Sequence, residues 1–120
     1  MAPAYAVSEM LRDANLGLQD FDFYEIHEAF AAQTIATLAA WQSEKFCRER
    51  LGRQQPLGPI DPARLNVKGG SLAIGHPFAA TGARIMMTMA KLLNDNGGGR
   101  GLVSVCTAGG MGVTAILEAA

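Results

Sequence analysis

The chain has only two cysteines, Cys47 and Cys106, and they stand in unrelated contexts. No C-x-x-C pair exists, so a thiolate metal site of the usual spacing is excluded. With so few thiols and no signal-peptide pattern, a disulfide framework is not expected. A reducing compartment is the expectation, cytoplasmic or, in a eukaryote, the mitochondrial matrix. There is no excess of charge of either sign: 10 basic and 11 acidic residues give a net charge of −1. That balance argues against nucleic acid or an anionic membrane surface as partner. No apolar run reaches the ~20 residues needed to cross a bilayer, so no transmembrane segment is expected.

What is present is core material. Hydrophobic residues make up 49 % of the 120 positions, enough for one small domain, which at this size buries roughly two-thirds of its unfolded surface. Basic residues cluster once, at Lys45, Arg48, Arg50 and Arg53, interleaved with Glu44 and Glu49. This reads as a solvated helix face, with a phosphate or partner contact as the alternative.

Pro3 followed by Ala6, Val7, Met10, Leu11 and Ala14 has helical spacing, with Gly17 as its stop. Phe21 to Ile26 reads as a strand, and Glu28 to about Leu51 as one long helix ended by Gly52. Residues 52–64 carry Gly52, Pro56, Gly58, Pro59 and Pro62 and form a loop. Leu65–Val67 and Ser71–Ile74 read as short extended pieces around a Gly69-Gly70 turn. Thr81 to Asn94 is the next helix. Leu102–Cys106 and Gly112–Leu117 are strands joined by a tight glycine turn, so they pair antiparallel. The pattern predicts a layered α/β domain with a mixed sheet.

Two loops carry groups suited to proton transfer. His76 stands between Gly75 and Pro77, both hostile to regular structure, and its ordinary pKa near ~6.5 suits proton exchange. A surface histidine without a role is the alternative. Cys106 ends an apolar strand at the turn Ala108-Gly109-Gly110, whose amides can converge on an anion. A thiol buried as a small hydrophobe is the alternative there. Thr81-Gly82-Ala83-Arg84 opens a helix beside His76, either favouring a neutral imidazole or only capping. His27-Glu28 follows a strand, where α/β sheets place their sites; Glu28 is equally a helix N-terminal charge. Cys47, mid-helix beside Arg48, reads as structural, and Met86, Met87 and Met89 as core or interface packing.

Three blocks together resemble the thiolase family of 3-ketoacyl-CoA thiolases and acetyl-CoA acetyltransferases. They are His27-Glu28-Ala29-Phe30, the stretch from Asn66 through Gly75-His76-Pro77 to Thr81-Gly82-Ala83-Arg84, and Cys106 with its glycine turn. The resemblance runs from about Pro3 to the C-terminus and implies a thiolase-like partial C-terminal domain over residues 1–120. It implies that His76 activates the nucleophilic cysteine and helps bind the thioester oxygen. It implies that Cys106 is the acid/base at the acetyl methyl carbon. His27 stands where most thiolases have Asn, the residue holding a water beside the oxyanion site. Ala108 replaces the first glycine of the family's turn, and its amide donates to the acyl-enzyme oxyanion if its φ is negative; Gly109 and Gly110 complete the turn. Ala79 replaces the usual glycine after the Gly-His-Pro motif. His27, Phe78-Ala79-Ala80 and Ala108 are similar to the fatty-acid-oxidation thiolases that associate with a multifunctional hydratase/dehydrogenase subunit, and coenzyme A enters as substrate rather than cofactor.

The resemblance also implies what is missing. The family's nucleophilic cysteine and CoA-gripping loop domain match nothing here. Each thiolase half resembles a five-stranded sheet of order 3-2-1-4-5, and this chain starts after strand 1. Four strands are therefore expected, with Phe21–Ile26 and Leu102–Cys106 either open at their edges or paired directly. The Met-rich helix face is expected to be exposed. The expected role is the catalytic C-terminal portion of a thiolase, inactive without an N-terminal portion supplying the nucleophile. It would work as a homo-oligomer or with the hydratase/dehydrogenase subunit, and be a fragment, truncated product or split subunit. Two other classes stand beside it: a non-catalytic pseudo-thiolase interaction module, and a lone thioester hydrolase using Cys106 with His76.

Overall fold

The computed structural model describes all 120 residues. Helix α1 (Ala2–Ala14) begins with Pro3 in its first turn, where the missing amide costs nothing. It ends one turn before Gly17: Asn15 adopts φ 54°, and Leu16 N–H donates back to Leu11 C=O at 2.9 Å, a Schellman closure. Strand β1 (Phe23–Ile26) follows.

The single long helix expected over 28–51 is two, α2 (Ala31–Gln42) and α3 (Glu44–Leu51). Ser43 divides them. Its backbone is extended, and its Oγ accepts the Phe46 N–H at 3.2 Å, capping α3. Leu65–Val67 is not a strand; Leu65 makes one isolated parallel bridge to Tyr24. Ser71–Ile74 is not extended either, but a single helical turn, α4. Helix α5 (Thr81–Asp95) leads to β2 (Gly99–Thr107) and β3 (Met111–Ala119).

The sheet has three strands rather than four, in the order β1-β2-β3. β2 and β3 are antiparallel from Gly99↔Ala119 to Thr107↔Met111, and β1 runs parallel to β2, so the mixed sheet is as expected. β1 and β2 pair directly from Phe23↔Gly101 to Ile26↔Ser104, and the His27 N–H extends the ladder to Ser104 C=O at 2.8 Å. No strand can enter between them without breaking that ladder. The absent strand is therefore not central to this sheet.

Alternation along β2 separates two cores. Leu102 faces α1, α2 and α3, in a cluster with Val7, Leu11, Tyr24, Ile26 and Trp41. Val103 faces α5, against Ile85, Met89 and Leu93. Gly101 lets α5 approach: a Cβ there would lie 2.1 Å from Met89 Sδ. Cys47 is buried and free, its Sγ against the carbonyls of Ala40 and Trp41, which is the structural role expected of it.

Ala79 has φ 64°, the left-handed region. A Cβ there costs about 1–2 kcal/mol, partly offset because glycine gives the unfolded chain about 0.4–1 kcal/mol more entropy to lose. Ala79→Gly should therefore stabilise the fold by roughly 0.5–1 kcal/mol, read as a higher urea midpoint at unchanged slope.

Candidate active site

The site is built at the C-terminal ends of the parallel strands, the usual position for α/β sheets. β1 has no neighbour strand beyond Leu65, and Asn66 takes over the open edge. Its Oδ1 accepts the Ile26 N–H at 2.9 Å, and its Nδ2 donates to Ile26 C=O at 2.9 Å and to Glu28 Oε1 at 2.8 Å. The side chain thus copies a strand, and φ 47° aims it there, a conformation asparagine tolerates better than most residues. Glu28 Oε2 accepts the Leu72 N–H at 3.2 Å and ties α4 to the end of β1. Gly70 makes room: a Cβ would fall 2.2 Å from Glu28 Oε2. Glu28 is thus a scaffold of the site. Asn66 and Gly70 belong to that scaffold too; both lie within or beside the recognised motif, but nothing in the spacing announces their side-chain geometry.

This scaffold brings His27 and His76 together. Their ring centroids are 4.3 Å apart, and Phe78 packs edge-on against His76 at 5.0 Å. His27 is 2 % exposed, and its Nδ1 lies 3.0 Å from Ser71 Oγ. His76 is exposed, and its Nδ1 lies 2.6 Å from Thr81 Oγ1 in the first turn of α5. The Thr81 hydroxyl, which also donates to Pro77 C=O at 3.2 Å, ties His76 to the start of α5.

Cys106 is half-buried and free at the last turn of β2. It shares the pleat of Leu102 and Ser104, and its cross-strand partner Gly112 is pressed against Ala2 of α1. His27 shares the pleat of Glu25, which pairs with Val103 on the α5 side. The thiol and the imidazoles thus meet one end of the sheet from opposite pleats, and no hydrogen bond joins Cys106 to either histidine. The turn after Cys106 has Gly109 at φ 81° and Gly110 at φ 75°, while Ala108 is not in the positive-φ region. Its amide therefore meets the condition set for an oxyanion donor.

Behind His27 lies Glu25, 1 % exposed, with Oε1 lacking any hydrogen bond. Burial pushes its carboxyl up to about 7, against the lowering charge of Arg84 and helped by Glu28. A raised carboxyl stabilises the fold fully below its unfolded value and loses that contribution as pH climbs through about 7. Glu25→Gln should flatten this loss. Relative to wild type, the variant should gain about 3 kcal/mol between pH 4.5 and pH 8. Paired urea melts of both proteins at each pH measure it, and the difference cancels other titrating groups.

Around the site the surface is apolar and open. Phe78 is 86 % and Met87 72 % exposed, with Leu72 and Ile74 beside them, whereas Met89 is wholly buried. The expected exposed methionine face is therefore real but partial. A groove of about 690 Å³ runs along α5, where Ala80, Ala83, Met87 and Leu92 are joined by the charged Lys68, Arg84, Lys91 and Asp95. No side-chain cluster suited to a metal ion is present, and no helix is long and apolar enough to cross a membrane.

Comparison with known proteins agrees with this geometry. The family model described as the thiolase C-terminal domain matches residues 1–119. A 3-ketoacyl-CoA thiolase of Shewanella sp. (strain W3-18-1) is 50 % identical over 118 residues, which is 98 % of this chain and 27 % of that protein. Its counterpart in Shewanella frigidimarina (strain NCIMB 400) is 49 % identical over the same share. Among solved structures, the acetyl-CoA acetyltransferase of Bacillus anthracis superposes with TM-score 0.78 at 35 % identity, over 99 % of this chain and 26 % of that one. The peroxisomal 3-ketoacyl-CoA thiolase of Saccharomyces cerevisiae, described as five layers built from two core domains of identical topology, gives 0.77 at 36 %, over 99 % and 29 %. The chain spans about a quarter of the length of these relatives, and the family model covers residues 1–119 of it: it belongs to the thiolase family, as the family's C-terminal domain.

Proposed function

We propose that this chain supplies the proton-transfer half of a 3-ketoacyl-CoA thiolase site and acts only when joined to a segment bearing the nucleophilic cysteine. The observation that carries this reading is the paired imidazoles of His27 and His76 at the end of the sheet where β2 also delivers the free Cys106, from the opposite pleat. In thiolysis a cysteine thiolate attacks the 3-keto carbon, and the C2–C3 bond breaks. The electron pair passes to the acetyl-CoA enolate, and C2 takes a proton. Free CoA thiol then displaces the acyl group from the enzyme.

His76 activates the nucleophilic cysteine and helps bind the thioester oxygen, and Cys106 is the acid at C2. Donors at Ala108 and the histidines offset charge on the oxyanions. Because thiol and imidazoles face opposite pleats, the reacting carbons lie across the end of the sheet, between them. The exposed Phe78 and Met87 surface is where the rest of the protein, or an associated hydratase/dehydrogenase subunit, packs. Acyl-CoA esters of 3-keto acids are the substrates on this reading.

A fusion of this chain to the N-terminal portion of the Shewanella sp. relative provides the completed enzyme. With acetyl-CoA in deuterated water, it should exchange the acetyl methyl protons. Cys106→Ser should lower that exchange by about 10²-fold or more while leaving acylation of the nucleophile intact. Undiminished exchange would remove Cys106 from its role.

A further inference from the structure

We infer that Ser71 and Arg84 lock His27 in the neutral tautomer protonated at Nε2, making this imidazole a fixed hydrogen-bond donor toward the reacting groups. Arg84 Nη2 lies 3.3 Å from Ser71 Oγ, and a guanidinium only donates. Ser71 Oγ therefore accepts there. Its one hydrogen has a single remaining partner, His27 Nδ1 at 3.0 Å. Ser71 is buried, so a hydroxyl hydrogen without an acceptor would be costly. Nδ1 thus accepts, and the ring's proton sits on Nε2. That nitrogen makes no hydrogen bond inside the chain, yet it is not among the buried atoms lacking a partner. It is therefore the ring's outlet to the cleft.

The surroundings hold the ring uncharged. His76 lies against it at 4.3 Å, and Arg84 is a permanent cation beside Ser71; Glu28 is the acidic group acting on it. Burial, then His76, then Arg84 push the His27 pKa below its usual value, with only Glu28 opposing. Arg84 Nε and Nη1 are themselves buried without partners, so the guanidinium is committed to this site rather than to a surface ion pair.

The consequence rests on the proposed function. An asparagine at this position offers an N–H donor with no tautomer to choose, whereas an imidazole offers one only if its proton is placed. Ser71 and Arg84 are the positioning residues that place it.

The test is long-range ¹H–¹⁵N correlation of the histidine rings in the 120-residue chain at pH 7. His27 should show an unprotonated Nδ1 and a protonated Nε2. Ser71→Ala should mix the tautomers, and Ser71→Thr should restore the single form. Arg84→Met should raise the His27 titration midpoint. A proton on Nδ1, or on both nitrogens, in the wild-type chain would overturn the inference, as would a Ser71→Ala spectrum identical to wild type. An unmoved midpoint in Arg84→Met would remove Arg84 from it. Should Ser71→Ala fail to fold, the wild-type spectrum and Arg84→Met still decide. None of these readings depends on thiolase activity, so a correct tautomer in an inactive fusion would count against the proposed function alone.

Discussion

Replacing His76 by alanine in the completed enzyme should lower kcat/KM for thiolysis by about 10²–10⁴-fold, which is about 3–5 kcal/mol of transition-state stabilisation. The residue is exposed and is held by one side-chain hydrogen bond to Thr81, so its loss should leave the fold intact. On the proposed role, activation of the nucleophilic cysteine, the defect should appear in kcat. Thermal melts of the variant should coincide with wild type within about 0.5 kcal/mol. Steady-state kinetics on a 3-ketoacyl-CoA measure the first effect. A loss confined to KM would show that His76 binds substrate without moving a proton.

Asn66→Ala should cost roughly 4 kcal/mol of stability. Two buried backbone groups, the N–H and C=O of Ile26, lose their only edge partners, at about 1–3 kcal/mol each. Alanine at φ 47° adds about 1 kcal/mol. Against a typical total of about 5–15 kcal/mol, this brings the domain close to unfolding. Asn66→Gly should remove only the backbone strain and recover about 1 kcal/mol of the loss. Urea unfolding of the three proteins separates the two contributions. The same change frees Glu28 Oε1 and slackens the tie to α4, so His27 and Ser71 should lose their fixed geometry before the fold is lost.

The sequence made some of this legible and not the rest. Helices α1 and α5, the mixed sheet and the β2–β3 hairpin were readable because long amphipathic spacing and paired glycines act locally. The break at Ser43 was not, since a helix-forming run on both sides hid a capping serine. The short pieces at 65–67 and 71–74 failed for a different reason. Each is too brief for periodicity, and its conformation is set by long-range hydrogen bonds from Tyr24 and Glu28. Direct β1–β2 pairing is one of the two arrangements the sequence leaves open; the choice between them is a property of the whole sheet, invisible to either strand alone. His76, Cys106 and His27 were legible as a motif. That the two imidazoles touch while Cys106 rises from the opposite pleat follows from register, which the motif does not encode. The burial of Glu25 is not announced by the strand spacing. Its pairing with Val103 is what turns it into the core.

The central claim is that this chain holds half of a thiolase site and needs the other half. The direct test is CoA-dependent consumption of a 3-ketoacyl-CoA, measured for the chain alone and for the same chain fused to the N-terminal portion of the Shewanella sp. relative. The account predicts no turnover above background for the first and thiolase-like turnover for the second, abolished by His76→Ala. Turnover by the chain alone at the rate of the fusion would contradict it.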